Sequence, residues 1–249
     1  MNLEWDFSKY SAAVYRKSGY LHGILEVSAK PLSEFVGLEK EINLLCKNVE
    51  SFLNDNGGVN TLLWGARGCG KSSIIKAVFK KYEKNGLRIL ELNKEFLEKL
   101  PEILDFLRIQ QEKIIIFCDD LSFEENDVTY KNLKSILEGG LEDMPKNVLL
   151  FATSNRRHLL PEFHNENEIF GYEGNDDKNA LSDRFPLSLG FYALGNVEYL
   201  DMLRKYFNGV SKEEWQVIEK KALQYATKKG SRNPRSAEHF YKLYKSGLV

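Results

Sequence analysis

The chain has 249 residues, 43% hydrophobic and 29% charged, with a formal net charge of −1. That length suits one large domain or a domain with a small lid, and the balance suits a buried core under a charged surface. No apolar run nears the ~20 residues a bilayer span needs, the N-terminus lacks the basic-then-apolar order of a secretory signal, and Cys46, Cys69 and Cys118 have no metal or redox spacing, so a cytoplasmic protein with reduced thiols is expected, with no membrane partner.

In chain order, residues 1–31 form an aromatic-rich N-terminal segment. Trp5, Phe7, Tyr10, Val14 and Tyr15 are spaced as on a helix face, which predicts a helical element packing on the main domain or on a partner. Leu38, Ile42, Leu45, Val49 and Phe52 predict a helix over 38–53. Strand-like runs follow at Leu62–Trp64, Leu87–Leu92, Lys113–Cys118, Val148–Ala152 and Pro186–Leu189, with helical patterns between most of them. Alternation of this kind predicts a five-stranded parallel sheet between helices, an α/β core over residues 32–191. Gly139-Gly140 reads as a helix stop. Residues 164–180 are polar and acidic and read as a long loop. Beyond residue 191 the pattern is helical only. Ser211-Lys212-Glu213-Glu214 is a capping box, Trp215, Ile218, Ala222 and Tyr225 keep helical spacing, and Phe240 and Tyr244 mark a last helix. Residues 192–249 are expected to be an all-helical lid.

Charge is uneven. Residues 201–249 hold eleven Lys/Arg and five Asp/Glu, a net of +6, which leaves −7 on the first 200 residues. Such a basic piece can face nucleic acid or an acidic neighbouring subunit. The plainer reading is a solvated helical surface, because no aromatic stacking pattern accompanies the charge in the sequence.

The most informative stretch is Gly65-Ala66-Arg67-Gly68-Cys69-Gly70-Lys71-Ser72, a G-x-x-x-x-G-K-[ST] loop followed by Ser73. Glycines let the backbone curl so that successive N–H groups face one concavity, which opens onto a helix N-terminus where anions are favoured. Lys71 then reaches the β- and γ-phosphates of a nucleotide, and Ser72 offers a hydroxyl to Mg²⁺. A buried strand run before the loop and Ile74, Ile75, Val78 and Phe79 after it supply the strand–loop–helix context the motif needs. Cys69 reads as a small side chain inside the loop, with a redox-sensitive thiol as the alternative, since helix N-termini lower thiol pKa.

Three further stretches could serve the same chemistry. Ile114-Ile115-Ile116-Phe117-Cys118 runs into Asp119-Asp120, placing two acids at a strand's carboxyl end, where parallel sheets bind ligands. Asp119 is assigned to the metal through water and Asp120 to orienting or deprotonating the attacking water. Strand Val148–Ala152 leads to Asn155, whose neutral amide can hold that water; a turn-forming Asn is the competing reading. Leu181-Ser182-Asp183-Arg184-Phe185 offers Arg184 to a nucleotide in the next subunit, or else to a surface ion pair. Ser231-Arg232-Asn233-Pro234-Arg235-Ser236 opens the last helix, and Arg235, with Arg232 as rival, could touch the γ-phosphate.

Together these stretches resemble the AAA+ ATPases: Walker A at Gly65–Ser72, Walker B at Ile115–Asp120, sensor 1 at Asn155, an arginine finger at Arg184 and sensor 2 at Arg235. Leu32-Ser33-Glu34-Phe35-Val36-Gly37-Leu38 is similar to that superfamily's adenine-pocket entry, where Val36 and Gly37 would line the base. More narrowly, Leu63–Gly68, Phe117–Glu125 and Thr153–Leu159 are similar to an uncharacterised bacterial AAA+ family, a domain of unknown function near the helicase-loader and transposition-helper ATPases. The resemblance covers roughly residues 32–245. It implies binding and hydrolysis of Mg·ATP, a homo-oligomer with Arg184 acting in trans, and a protein client or DNA. The alternatives are a nucleotide-switched adaptor or loader with little turnover, and a small-molecule phosphotransferase. One departure stands out: AAA+ enzymes usually place Glu after the first Walker B Asp, and Asp120 is one methylene shorter. The narrower family resemblance also has two aspartates, and Glu124 or Glu125 could supply the base instead. His158 and His164 show no metal-ligand spacing.

Overall fold

A computed structural model describes residues 3–124, 127–139, 141–157, 159 and 181–249. The acidic segment expected as a loop, together with Glu125, His158 and His164, lies outside the described residues.

The strands are β1 (Ala12–Arg16), β2 (Tyr20–Ile24), β3 (Thr61–Gly65), β4 (Leu87–Glu91), β5 (Lys113–Cys118), β6 (Val148–Ser154) and β7 (Leu187–Phe191). They form one sheet in the order β2-β1-β4-β5-β6-β3-β7, so among the described residues it has seven strands rather than the expected five. All pairings are parallel except β1 with β2. The central strands are buried on both faces. In β5, Ile114, Ile116 and Cys118 join one core and Ile115 and Phe117 the other; in β6, Leu150 and Leu149 divide the same way. A strand buried on both faces reads as a continuous apolar run, which is why these segments were visible in the sequence.

Helices α1 (Glu39–Leu53) and α2 (Lys71–Tyr82) cover one face; α3 (Leu100–Arg108) and α4 (Val128–Glu138) cover the other. Gly139, at φ 74°, stops α4 as expected. Three C-terminal helices, α5 (Asn196–Tyr206), α6 (Lys212–Lys229) and α7 (Pro234–Lys245), enclose a third core around Tyr199, Leu203, Ile218 and Phe240. Ser211 caps α6 by accepting from the Glu214 N–H. A full capping box sits at α7, between Asn233 and Ser236. On this unit Lys221, Lys229 and Lys245 lie over the rings of Tyr244, Tyr225 and Tyr241, an aromatic accompaniment to the basic charge that the linear sequence hid.

The N-terminal segment is corrected. Its helical spacing was accidental: Ala12–Arg16 and Tyr20–Ile24 form a hairpin, with the Gly19 N–H bonded to the Arg16 carbonyl at 2.8 Å. Gly19 at φ 81° supplies a left-handed turn. The open edge of β4 offers main-chain partners, and β1 takes them. Before the hairpin, Asp6 Oδ1 accepts from the Ser8 and Lys9 N–H groups and bends the chain, so that Trp5 stacks on Phe7 and its indole donates to the Tyr10 carbonyl. The aromatics pack on the main core as expected, but through strand and turn.

Candidate functional site

The carboxyl ends of β3, β5 and β6 meet the N-terminus of α2. Between β3 and α2, residues 65–70 turn through three left-handed glycines, Gly65 (φ 129°), Gly68 (φ 80°) and Gly70 (φ 95°). A Cβ on Gly65 would stand 1.9 Å from the Phe191 carbonyl oxygen on β7, so no other residue fits there. The Ala66 N–H donates to that same oxygen at 3.2 Å. The loop is thus pinned against the neighbouring strand while α2 presents its free N–H end.

Lys71 is buried to 7% exposure, with its ammonium donating to the Gly65 carbonyl at 2.6 Å, the Ala66 carbonyl at 2.9 Å and Asn155 Oδ1 at 3.3 Å. Burial pulls its pKa below the ordinary lysine value, opposed by the charges of Cys69, Asp120 and Asp119. The Ser72 hydroxyl donates to Asp119 Oδ1 at 2.5 Å. Thr153 joins them: its hydroxyl donates to the same Asp119 oxygen at 2.6 Å and accepts from the Asp120 N–H at 2.9 Å. Asp120 sits at φ 54°, a left-handed conformation uncommon outside glycine. Asn155 Nδ2 donates to Asp120 Oδ1, and Arg67 pairs with Asp120 Oδ2 at 3.4 Å.

These groups form one wall of a cleft of about 570 Å³. The opposite wall comes from the C-terminal helices, with Met202, Tyr206, Arg235 and Glu238, and from Phe35 and Val36 before α1. Asn233 ties the walls together, its Nδ2 donating to the Arg67 carbonyl at 2.8 Å while its Oδ1 caps α7 by accepting from the Ser236 N–H at 2.8 Å. Arg235's own N–H reaches the Gly68 carbonyl at 3.4 Å.

Residues 8–248 match the family described as a protein of unknown function (DUF815). The chain belongs to that family. Among solved structures the chain is similar to a single-residue variant of Thermotoga maritima RuvB, at 15% identity over 87% of this chain and 72% of that one, TM-score 0.51. It is similar to Aeropyrum pernix Orc1 in complex with DNA, at 16% identity over 81% and 57%, TM-score 0.56. It is also similar to the FIGL-1 AAA domain in complex with ADP, at 16% identity over 78% and 68%, TM-score 0.51. Likeness at that identity establishes the fold, which is that of the AAA+ P-loop ATPases. A search of curated proteins finds no significant relative.

Within the AAA+ fold, the residues expected at the site divide into those that converge and those that do not. Lys71, Ser72, Ser73, Asp119, Asp120 and Asn155 all line the cleft. So do Val36 and Arg235, while Gly37 (φ 70°) turns the chain just beside Val36 and Arg232 is not part of the lining. Arg184 is elsewhere, paired with Glu138 at 3.5 Å. Glu124 is exposed and paired with Arg156 at 3.8 Å. Arg157 lies over the Trp64 ring. The redox alternative for Cys69 is corrected: the side chain is buried, and burial pushes its thiol pKa up, outweighing Lys71.

Sequence reasoning missed Thr153, Asn233 and the Lys30–Glu238 pair, 3.2 Å apart, both of whose residues line the cleft. Asn-Pro at residues 233–234 is a helix-start signal that pointed to Asn233. Thr153 sits two residues before Asn155 on a buried strand, where its hydroxyl looked like ordinary strand chemistry.

Proposed function

We propose that the chain binds Mg·ATP in this cleft and hydrolyses it, using the cycle to remodel or load a macromolecular partner. The observation that carries the reading is convergence: an ammonium, a hydroxyl–carboxylate pair, a second carboxylate and an amide meet at the mouth of one glycine loop. The donor set suits magnesium. Among the described residues no cluster of three or more His, Cys, Asp or Glu offers a protein cage, and Mg²⁺ is ordinarily held by one or two oxygen ligands of the protein with substrate phosphates and water completing the shell. Ser72 would hold the ion directly and Asp119 through water, and the ion would supply charge neutralisation to the phosphates.

The rest is positioning by the chain's own groups. The loop N–H groups and Lys71 hold the phosphates, Lys71 exchanging its carbonyl partners for phosphate oxygens. Asn155 orients a water and Asp120 accepts its proton. Thr153 fixes both acids. Arg235 reaches the γ-phosphate from the helical side, so lid position follows nucleotide state. Arg184, remote from its own cleft, acts on the nucleotide of a neighbouring copy in a cytoplasmic homo-oligomer. Residues 1–31, 32–191 and 192–249 then act as edge, nucleotide domain and lid.

Calorimetry with Mg·ATP and Mg·ADP tests the reading: Lys71→Ala is expected to weaken both by at least about 100-fold, the loss of several charge-assisted hydrogen bonds. Binding that survives the substitution would defeat it. Turnover per subunit should rise with protein concentration and fall in Arg184→Ala; a rate indifferent to both removes the in-trans arginine. The second reading, an adaptor with little turnover, is favoured by the shorter Asp120 and by its engaged oxygens. Phosphate release with and without single-stranded DNA separates the two.

A further inference from the structure

Both carboxylate oxygens of the candidate base already carry a donor: Oδ1 the Asn155 amide, Oδ2 the Arg67 guanidinium. A carboxylate that takes a proton from water needs an oxygen open to that water. Each oxygen can still accept a second hydrogen bond, but a donor that leaves gives the water an uncontested oxygen. Asn155 is held from behind, because its own Oδ1 accepts from Lys71, and it follows a strand buried at every position. Arg67 is the opposite. Its side chain is 76% exposed, and only its main chain is fixed, by Asn233. It rises from the phosphate loop itself, and Arg67 lines the cleft.

Asp120 does not need Arg67 to stay in place. Its left-handed backbone is fixed on both sides by Thr153, whose hydroxyl accepts from the Asp120 N–H and whose carbonyl accepts from the Leu121 N–H at 2.6 Å. The guanidinium can leave while the carboxylate stays aimed. A γ-phosphate is the more highly charged competitor, and a guanidinium fork matches phosphate oxygens in pairs.

Resting on the ATP reading above, we propose that Arg67 is a γ-phosphate ligand: it holds Asp120 Oδ2 when no γ-phosphate is present, moves to the phosphate when a triphosphate enters, and so frees Oδ2 for the attacking water. The exchange swaps one ion pair for another and breaks no covalent bond. A diphosphate leaves the Arg67–Asp120 pair intact.

The test compares Mg·ATPγS and Mg·ADP affinities by calorimetry on the full chain. Arg67→Ala is expected to weaken ATPγS about tenfold and to leave ADP within about twofold. Arg67→Lys, which restores the charge without the fork, recovers part of that loss. Asp120→Asn removes the competing anion and tightens ATPγS severalfold, a gain that shrinks in the double variant with Arg67→Ala. An Arg67→Ala protein with an unchanged ATPγS:ADP ratio overturns the ligand role, and additive effects in the double variant overturn the hand-off. Lys71→Ala is run alongside: nucleotide binding that survives it brings down the ATP reading and this proposal with it, whereas lost binding in Lys71→Ala with an unchanged ratio in Arg67→Ala brings down this proposal alone.

Discussion

The two walls of the cleft are built differently. The sheet wall rests on strands buried on both faces, and its polar groups are cross-linked: Thr153 holds both aspartates, Asn155 bridges Lys71 and Asp120, and the loop is pressed against β7. The helical wall has a core of its own around Tyr199 and Phe240. It meets the phosphate loop through polar links, Asn233 to Arg67 and Arg235 to Gly68, and the segment before α1 through Glu238 to Lys30 and through Val36, which packs on its core. Lys71, Ser72, Asp119, Asp120 and Asn155 sit on the wall that cannot shift without unpacking a core. The other wall can shift by exchanging a few hydrogen bonds, each worth about 1 kcal/mol. On the proposed ATP reading, such an arrangement would let a nucleotide set the angle of the helices without disturbing the groups that react with it.

Breaking the rigid wall should be the costliest change. In Gly65→Ala the new Cβ would lie 1.9 Å from the Phe191 carbonyl oxygen and 2.8 Å from its carbon, on backbone that β3–β7 pairing holds in place. Added to the strain of an alanine at φ 129°, the expected loss is about 4 kcal/mol, or roughly 10 °C in melting temperature for a chain of this size. A variant that melts within about 2 °C of the parent would show that the loop is not pressed on β7, and the contrast between the walls would lose its firmer half.

How legible this arrangement was in the sequence follows from the same contrast. The rigid wall announces itself, because doubly buried strands are apolar runs and a phosphate loop needs its glycines at fixed spacing; Lys71, Ser72, Asp119, Asp120 and Asn155 could be named on that basis and do line one cleft. The N-terminal hairpin could not, since Trp5, Tyr10, Val14 and Tyr15 read at helical spacing and only the open edge of β4 decides for strand. The inter-wall links were hidden for another reason. Asn233 and Arg67 are 166 residues apart, and Lys30 and Glu238 are 208 apart. No local pattern brings such partners together; only the folded topology does. The Arg67–Asp120 pair was hidden likewise, an unmarked position of the loop motif meeting a strand end 53 residues later.

The hinge is the next place to press. Asn233 is 8% exposed and does two jobs, capping α7 and donating to the Arg67 carbonyl. Asn233→Ala loses the cap and leaves a loop carbonyl short of a donor, a cost of about 2 kcal/mol. Hydrogen exchange should accelerate at the start of α7 and in residues 66–70 together, while β5 and β6 stay protected. Faster exchange in α7 alone would mean that the helix end and the loop are not coupled through this side chain.

The smallest effect belongs to an ion pair in the cleft lining. Lys30 and Glu238 are 3.2 Å apart, but their side chains keep 46% and 33% of their exposure, and Glu238 also holds Lys242 at 2.8 Å. Partly exposed pairs of this kind contribute about 0.5 kcal/mol, less at high salt. A double-mutant cycle with Lys30→Ala and Glu238→Ala, read by urea unfolding, should return a coupling of that size at low salt. If the pair closes the helical wall over the bound nucleotide, the same cycle read by ADP affinity gives a larger coupling than the one read by stability. Equal couplings would make the contact a passive surface pair, and the helical wall would then be held to the phosphate loop through Asn233 and Arg235.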